Sequence, residues 1–135
     1  MPVVEFTVPG PPISHQSGNK ALLQSWKAQV QAEAAKVWTQ PPLTTLIKCT
    51  IMNFYAGAAP PLDDDNMVKP IRDALNGLVY ADDKQIRHSH HVQSSIDDRF
   101  HIRWVSMVLL EAFNAGDEFV YVRIEDAPAE TQLPK

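Results

Sequence analysis

The chain predicts an α+β domain, in which one β-sheet carries helices. Three observations point there. Stretches with period-2 alternation and stretches with apolar spacings of three and four follow one another in the order β-α-β-α-β-α-β. At 135 residues the chain fits one small domain whose core needs no disulfide or structural metal. Its 44% hydrophobic and 21% charged composition is ordinary for a globular protein and excludes disorder for the bulk of it.

The first strand is read in residues 3–9, where Val, Glu, Phe, Thr and Val alternate, and Pro9-Gly10-Pro11-Pro12 ends it. Residues 13–20 are rich in Ser, His, Gln, Gly and Asn, the composition of an irregular polar loop. Over 21–39, Leu23, Trp26, Val30, Ala34 and Val37 recur at helical spacing, and Pro41-Pro42 stops that helix. The β-branched run 43–55 predicts a strand, and 56–61 a loop. The next helix is expected to be capped by Asp65 or Asn66, to turn Val68, Ile71, Leu75 and Leu78 inward, and to stop at Asn76-Gly77. Pro70 belongs in its first turn or slightly beyond. Residues 86–96 read as a strand with Ile86, His88, His90 and Val92 on one face and Arg87, Ser89, His91 and Gln93 on the other. Residues 102–114 fit a helix that Gly116 ends, and 118–125 a closing strand. The domain is thus expected over 1–126, with 127–135 a frayed tail.

The lone Cys49 lies in an apolar strand, so it reads as a small buried hydrophobe; one cysteine permits neither a disulfide framework nor a cysteine zinc site within one chain. No run approaches the length needed to cross a bilayer and no basic-then-apolar leader opens the chain, so a cytoplasmic, reducing setting is expected. The formal charge of −4 argues against a polyanionic partner until its distribution is considered. Five carboxylates are concentrated at 63, 64, 65, 82 and 83 and three more near the tail; apart from these the surface is mildly basic.

The densest charge adjoins the clearest helix. Asp63 and Asp65 are two residues apart, so in an extended segment both carboxylates point the same way, and Asp82-Asp83 returns after a helix of roughly ten residues, short enough for the two ends to converge. Oxygen ligands that leave room for several waters suit Mg²⁺ or Mn²⁺, and such a site activates water for attack on phosphorus. Lys69, one turn after Asp65, is placed to stabilise charge on a phosphoryl oxygen. A plainer reading of the same residues stands beside this one: Asp caps helices, and Lys69 pairs with Asp65 or Asp73 on a solvated face. The calcium-loop pattern is absent.

The run Asp63-Asp64-Asp65-Asn66-x-x-Lys69, followed by Asp73-Ala74-Leu75 and Asp82-Asp83-x-Gln85, resembles the signature of the RusA family of Holliday-junction resolvases, commonly encoded by phages and prophages. The opening strand, the Pro9-Gly10-Pro11-Pro12 run and the polar loop are similar to that family's N-terminus, so the likeness spans most of residues 3–96. The resemblance implies a homodimer acting on branched DNA, with Asp63, Asp65 and Asp83 as the Mg²⁺-dependent catalytic acids, Asp82 as a supporting ligand and Lys69 as a residue needed for cleavage. It also places His15, Asn19 and Lys20 in a DNA-contacting loop. Two departures stand out: Asp64 puts a third carboxylate between the two acids, and residues 102–116 look like an insertion that either joins a dimer surface or covers the sheet.

His88, His90 and His91 invite a zinc reading but lack a further ligand at a telling spacing; a DNA-facing role beside Arg87 suits them better. Trp26, Trp38 and Trp104 read as core or interface rather than stacking platforms. No nucleotide cradle, Ser-His-Asp arrangement or membrane helix is present. The expectation is a Mg²⁺-dependent junction-resolving endonuclease; the alternatives are a non-catalytic junction- or protein-binding module and a nuclease for flaps and other branched DNA.

Overall fold

Apolar side chains on both faces of the central strand decide the layering. The computed structural model describes residues 4–60, 62–98, 100 and 105–135. Along the chain lie β1 (Val4–Pro9), α1 (Lys20–Val37), β2 (Ile47–Tyr55), α2 (Asp64–Leu75), a single 3-10 turn (Asp83–Gln85), β3 (Ile86–Ser95), α3 (Met107–Ala115) and β4 (Phe119–Asp126). The four strands form one mixed sheet in the order β1-β4-β2-β3. β4 runs antiparallel to both β1 and β2, whereas β2 and β3 are parallel, with α2 as the crossover that a parallel pair requires.

On one face, Val4, Phe6 and Val8 of β1, Ile47, Cys49 and Ile51 of β2, and Val120, Val122 and Ile124 of β4 meet two helices. α1 contributes Trp26, Val30 and Ala34; α2 contributes Met67, Val68, Ile71, Ala74 and Leu75. Cys49 is fully enclosed here, and burial pushes its thiol pKa up to about 12, the behaviour of a small hydrophobe. Trp26 and Trp38 are likewise core residues. On the opposite face Phe54, Phe119 and Tyr121 pack beneath α3, which inserts Val108, Leu109, Ala112 and Phe113. The rings of Phe54 and Phe113 meet edge-on at 4.8 Å between centroids, and those of Phe113 and Phe119 at 5.3 Å. Of the two roles the sequence leaves open for residues 102–116, α3 takes that of covering the sheet.

Several boundaries move for identifiable reasons. α1 begins at Lys20 because Asn19 caps it, its Oδ1 accepting the Leu22 N–H at 3.0 Å. β2 starts at Ile47 rather than 43, since Leu43 is diverted to a bridge with the segment after α2: its N–H donates to Val79 O at 2.8 Å and its carbonyl accepts from Ala81 at 3.0 Å. α3 starts at Met107, capped by Ser106, whose Oγ accepts the Leu109 N–H at 3.2 Å, and it ends at Gly116 with φ 81°, the left-handed position that favours glycine. Val3 and residues 102–104, assigned above to a strand and a helix, lie outside the described residues, as does Trp104.

The strand alternation drawn for residues 86–96 is corrected by a bulge. Ile86 pairs with Ile47 but His88 pairs with Lys48, leaving Arg87 as the extra residue. Ile86 therefore packs on the helix-covered face, together with Ser89, His91 and Gln93 in register, while His88, His90 and Val92 face the other way. The second core predicts a large effect of its central ring. Phe54→Ala should lower the free energy of unfolding by about 3–5 kcal/mol, read as a reduced midpoint in urea.

Candidate active site

α2 begins earlier than capping preferences suggest. Asp63 occupies the N-cap position, and its carbonyl accepts the Met67 N–H at 3.0 Å, so Asp64 and Asp65 are already in the first turn. Carboxylates there favour the helix dipole. The expected extended geometry of Asp63 and Asp65 therefore does not form: on a helix, residues two apart point in well-separated directions. Asp65 faces the groove between α2 and β3, and Asp63 is exposed at the cap without a side-chain capping bond.

Three hydrogen bonds fix this first turn. Gln93 of β3 donates from Nε2 to Leu62 O at 2.9 Å and accepts through Oε1 from the buried Asn53 at 3.2 Å. His91 Nδ1 lies 3.0 Å from Asp64 Oδ2; because a carboxylate can only accept, the ring donates its Nδ1–H. Asp64, the unexpected third carboxylate, is thus turned to β3. The third is opened by Pro70, the seventh residue of α2. Having no N–H, it leaves the carbonyl four residues earlier, that of Asn66, without its helical donor, and the His15 N–H occupies that acceptor at 2.9 Å. A proline in the helix interior thereby docks the polar 13–19 loop against the acidic turn.

The other acidic pair divides its work. Asp82 caps the 3-10 turn, its Oδ1 accepting the Lys84 N–H at 2.9 Å, and Gln85 Oε1 returns to the Asp82 N–H at 2.8 Å, a capping box. The Lys84 N–H holds the Asp82 carboxyl below the usual carboxylate range. Gln85 Nε2 also donates to the carbonyls of Leu43 and Thr45, at 2.8 and 2.9 Å. The turn is pinned on both sides, and Asp83 is left to face α2.

Asp65, Val68, Lys69, Arg72, Asp83 and His91 line one cavity of about 340 Å³. Of the sequence-predicted catalytic residues, the structure brings Asp65, Lys69 and Asp83 together; Asp63 and Asp82 lie outside the lining. Lys69 also makes the ion pair that the plainer reading anticipated, with Nζ 2.8 Å from Asp73 Oδ1. His15, Asn19, Lys20 and Arg87 are all exposed and none lines the cavity; the Asn19 side chain caps α1, and Arg87 sits at the bulge just after the 3-10 turn. Sequence reasoning missed Arg72 and the placement of His91. The i, i+4, i+7 spacing of Asp65, Lys69 and Arg72 carried the first of these; the second depends on the bulge.

Among the described residues, no three His, Cys, Asp or Glu side chains converge to hold a metal ion. Asp65 and Asp83 nevertheless suit Mg²⁺, a hard cation commonly held by one or two carboxylates with waters and substrate phosphate completing its shell. Among the described residues no helix is long and apolar enough to cross a membrane.

The dependence of the loop on Pro70 is measurable. Pro70→Ala supplies an N–H that competes for Asn66 O, and losing a hydrogen bond worth about 1 kcal/mol should speed exchange of the His15 amide about fivefold by NMR.

No curated protein matches the chain. The family model described as endodeoxyribonuclease RusA matches residues 11–125, from just after β1 into the closing strand, and so takes in every residue of the cavity. The chain belongs to the RusA endodeoxyribonuclease family.

Proposed function

We propose that the protein is a Mg²⁺-dependent endonuclease that resolves four-way DNA junctions, working as a homodimer in DNA recombination and repair. The observation that carries this reading is the shared cavity, in which Asp65 from the first turn of α2 and Asp83 from the 3-10 turn face Lys69. Family membership supplies the nuclease class. Neutral Mg²⁺-free chemistry is a poor match for these side chains, because two facing carboxylates repel a phosphodiester unless a cation lies between.

When bound, Mg²⁺ supplies a Lewis acid that neutralises charge on the phosphoryl oxygens and acidifies a coordinated water; Mn²⁺ can take the same oxygen ligands. Asp65 and Asp83 are the residues that hold it. Asp63, exposed at the cap one residue before α2, is the third acid we assign and would complete the ligand set. Asp82 supports Asp83 by holding the 3-10 turn. Lys69 Nζ, half-exposed beside the cavity, is directed at charge developing on the phosphoryl group, with Asp73 fixing its position.

DNA outside the cavity meets the exposed cations. His15 and Lys20 stand on the loop docked to α2 and at the start of α1, and Arg87 follows the 3-10 turn, so both ends of the groove carry groups suited to backbone phosphates. Asn19 contributes there by capping α1 and ordering the loop. A four-way junction presents two equivalent strands to be cut, which a two-fold symmetric protein meets with one site each. No nucleotide cofactor enters this scheme.

The test is cleavage of an end-labelled synthetic junction, with and without Mg²⁺, beside linear duplex and flap DNA, with light scattering for the dimer. Paired nicks at the junction are expected. Asp65→Asn and Asp83→Asn should each lower the cleavage rate by about 10³-fold and Lys69→Met by about 10²-fold, with junction binding retained. Cutting of flaps alone would reassign the substrate, and folded protein that cuts nothing would leave a binding module.

A further inference from the structure

Two cations line the cavity, and their surroundings differ. Lys69 is compensated: Asp73 lies 2.8 Å from its Nζ, and that same carboxylate is 4.0 Å from Lys27. Arg72 is half-buried, and among the described residues its guanidinium has no carboxylate oxygen within 4.0 Å and no side-chain hydrogen bond. Five N–H donors without an acceptor among the described residues, held beside a cavity, are available to an anion that enters it.

The residue is firmly placed. Ile71, Ala74 and Leu75 around it are buried in the helix-sheet core, which fixes the rotation of α2. The hydroxyl of the fully buried Tyr80 donates to the Arg72 carbonyl at 2.7 Å. The Arg72 charge opposes the upward push of burial on both the Cys49 thiol and the Tyr80 hydroxyl. Asp65, two turns earlier on the same edge of α2, and Asp83 line the same cavity. They exclude a free carboxylate as the anion and favour one that arrives with a divalent cation, which a phosphodiester does.

We propose that Arg72 is a further catalytic residue, gripping the non-bridging oxygens of the scissile phosphodiester in the cavity that Asp65 and Asp83 also line. Its planar fork fits two oxygens of one phosphate, a geometry that Lys69 does not offer. This rests on the nuclease reading above, and the experiment separates the two.

Arg72→Met keeps the side-chain stem and removes the charge; Arg72→Lys restores charge without the fork. Single-turnover cleavage of a four-way junction in Mg²⁺, junction binding in Ca²⁺, and thermal melting are measured for both variants and the parent. The methionine variant should cleave about 10²-fold more slowly while binding within about threefold of the parent and melting at the same temperature. The lysine variant should recover about tenfold of that loss. Cleavage by Arg72→Met within threefold of the parent would overturn the proposal. So would a loss shared equally with binding or with melting temperature, which would mark a general DNA contact or a structural role. If the parent cuts no DNA, the nuclease reading fails, and titration of inorganic phosphate against the Arg72 Nε–Hε NMR signal, assigned by its absence in Arg72→Met, decides the anion site: a saturable shift supports it and an unmoved signal refutes it.

Discussion

The burial of one face of α2 against the sheet is the constraint on which the site depends. Met67, Val68, Ile71, Ala74 and Leu75 are each at most 4% exposed, and no other rotation of the helix buries all five. Fixing that rotation fixes the adjoining edge, where Asp65, Lys69 and Arg72 follow one another over two turns toward β3. Hydrophobic packing thus aims the charged groups, and the polar contacts refine what packing has already chosen. Pro70 belongs to both layers. Its buried ring joins the apolar face, while its missing N–H opens the Asn66 carbonyl to the His15 loop.

The return of the chain is built differently, from side-chain hydrogen bonds to backbone. Gln85 ties the 3-10 turn to the carbonyls of Leu43 and Thr45, and Gln93 ties the approach to α2 through Leu62. Gln85 immediately precedes β3 and Gln93 lies within it, so a single strand registers the two acidic segments against each other. That register matters because Asp65 and Asp83 come from elements that share no regular hydrogen bonding of their own. Without β3 as a common ruler their separation would follow loop fluctuations.

Much of this was legible in the sequence, and the limits are instructive. The apolar spacing of Val68, Ile71 and Leu75 identified α2 and its inward face, and the alternation in 118–125 identified β4. The start of α2 was not legible, because Asp63, Asp64, Asp65 and Asn66 are all good caps and local preference does not rank them. Burial of Met67 decides it, and burial is a tertiary fact. The Asp82-Asp83-x-Gln85 motif could be seen but not interpreted: its glutamine acts on carbonyls some forty residues earlier. The bulge at Arg87 left no trace in the alternation of 86–96, so His91 could be placed beside Asp64 only once β3 was paired with β2.

The uneven order of the acidic groups has its own logic. Asp64 and Asp82 are both held, one by the His91 ring and the other by the Lys84 N–H, and both act on backbone placement. Asp65 and Asp83 instead line the open cavity. Four carboxylates brought together in the empty protein would raise their mutual repulsion, at a cost to folding that grows as water is excluded. Assigning two to structure and leaving two hydrated keeps that cost low, while the scaffold that positions the free pair stays rigid. Under the proposed function, a cation arriving with the phosphate would relieve the repulsion left between Asp65 and Asp83.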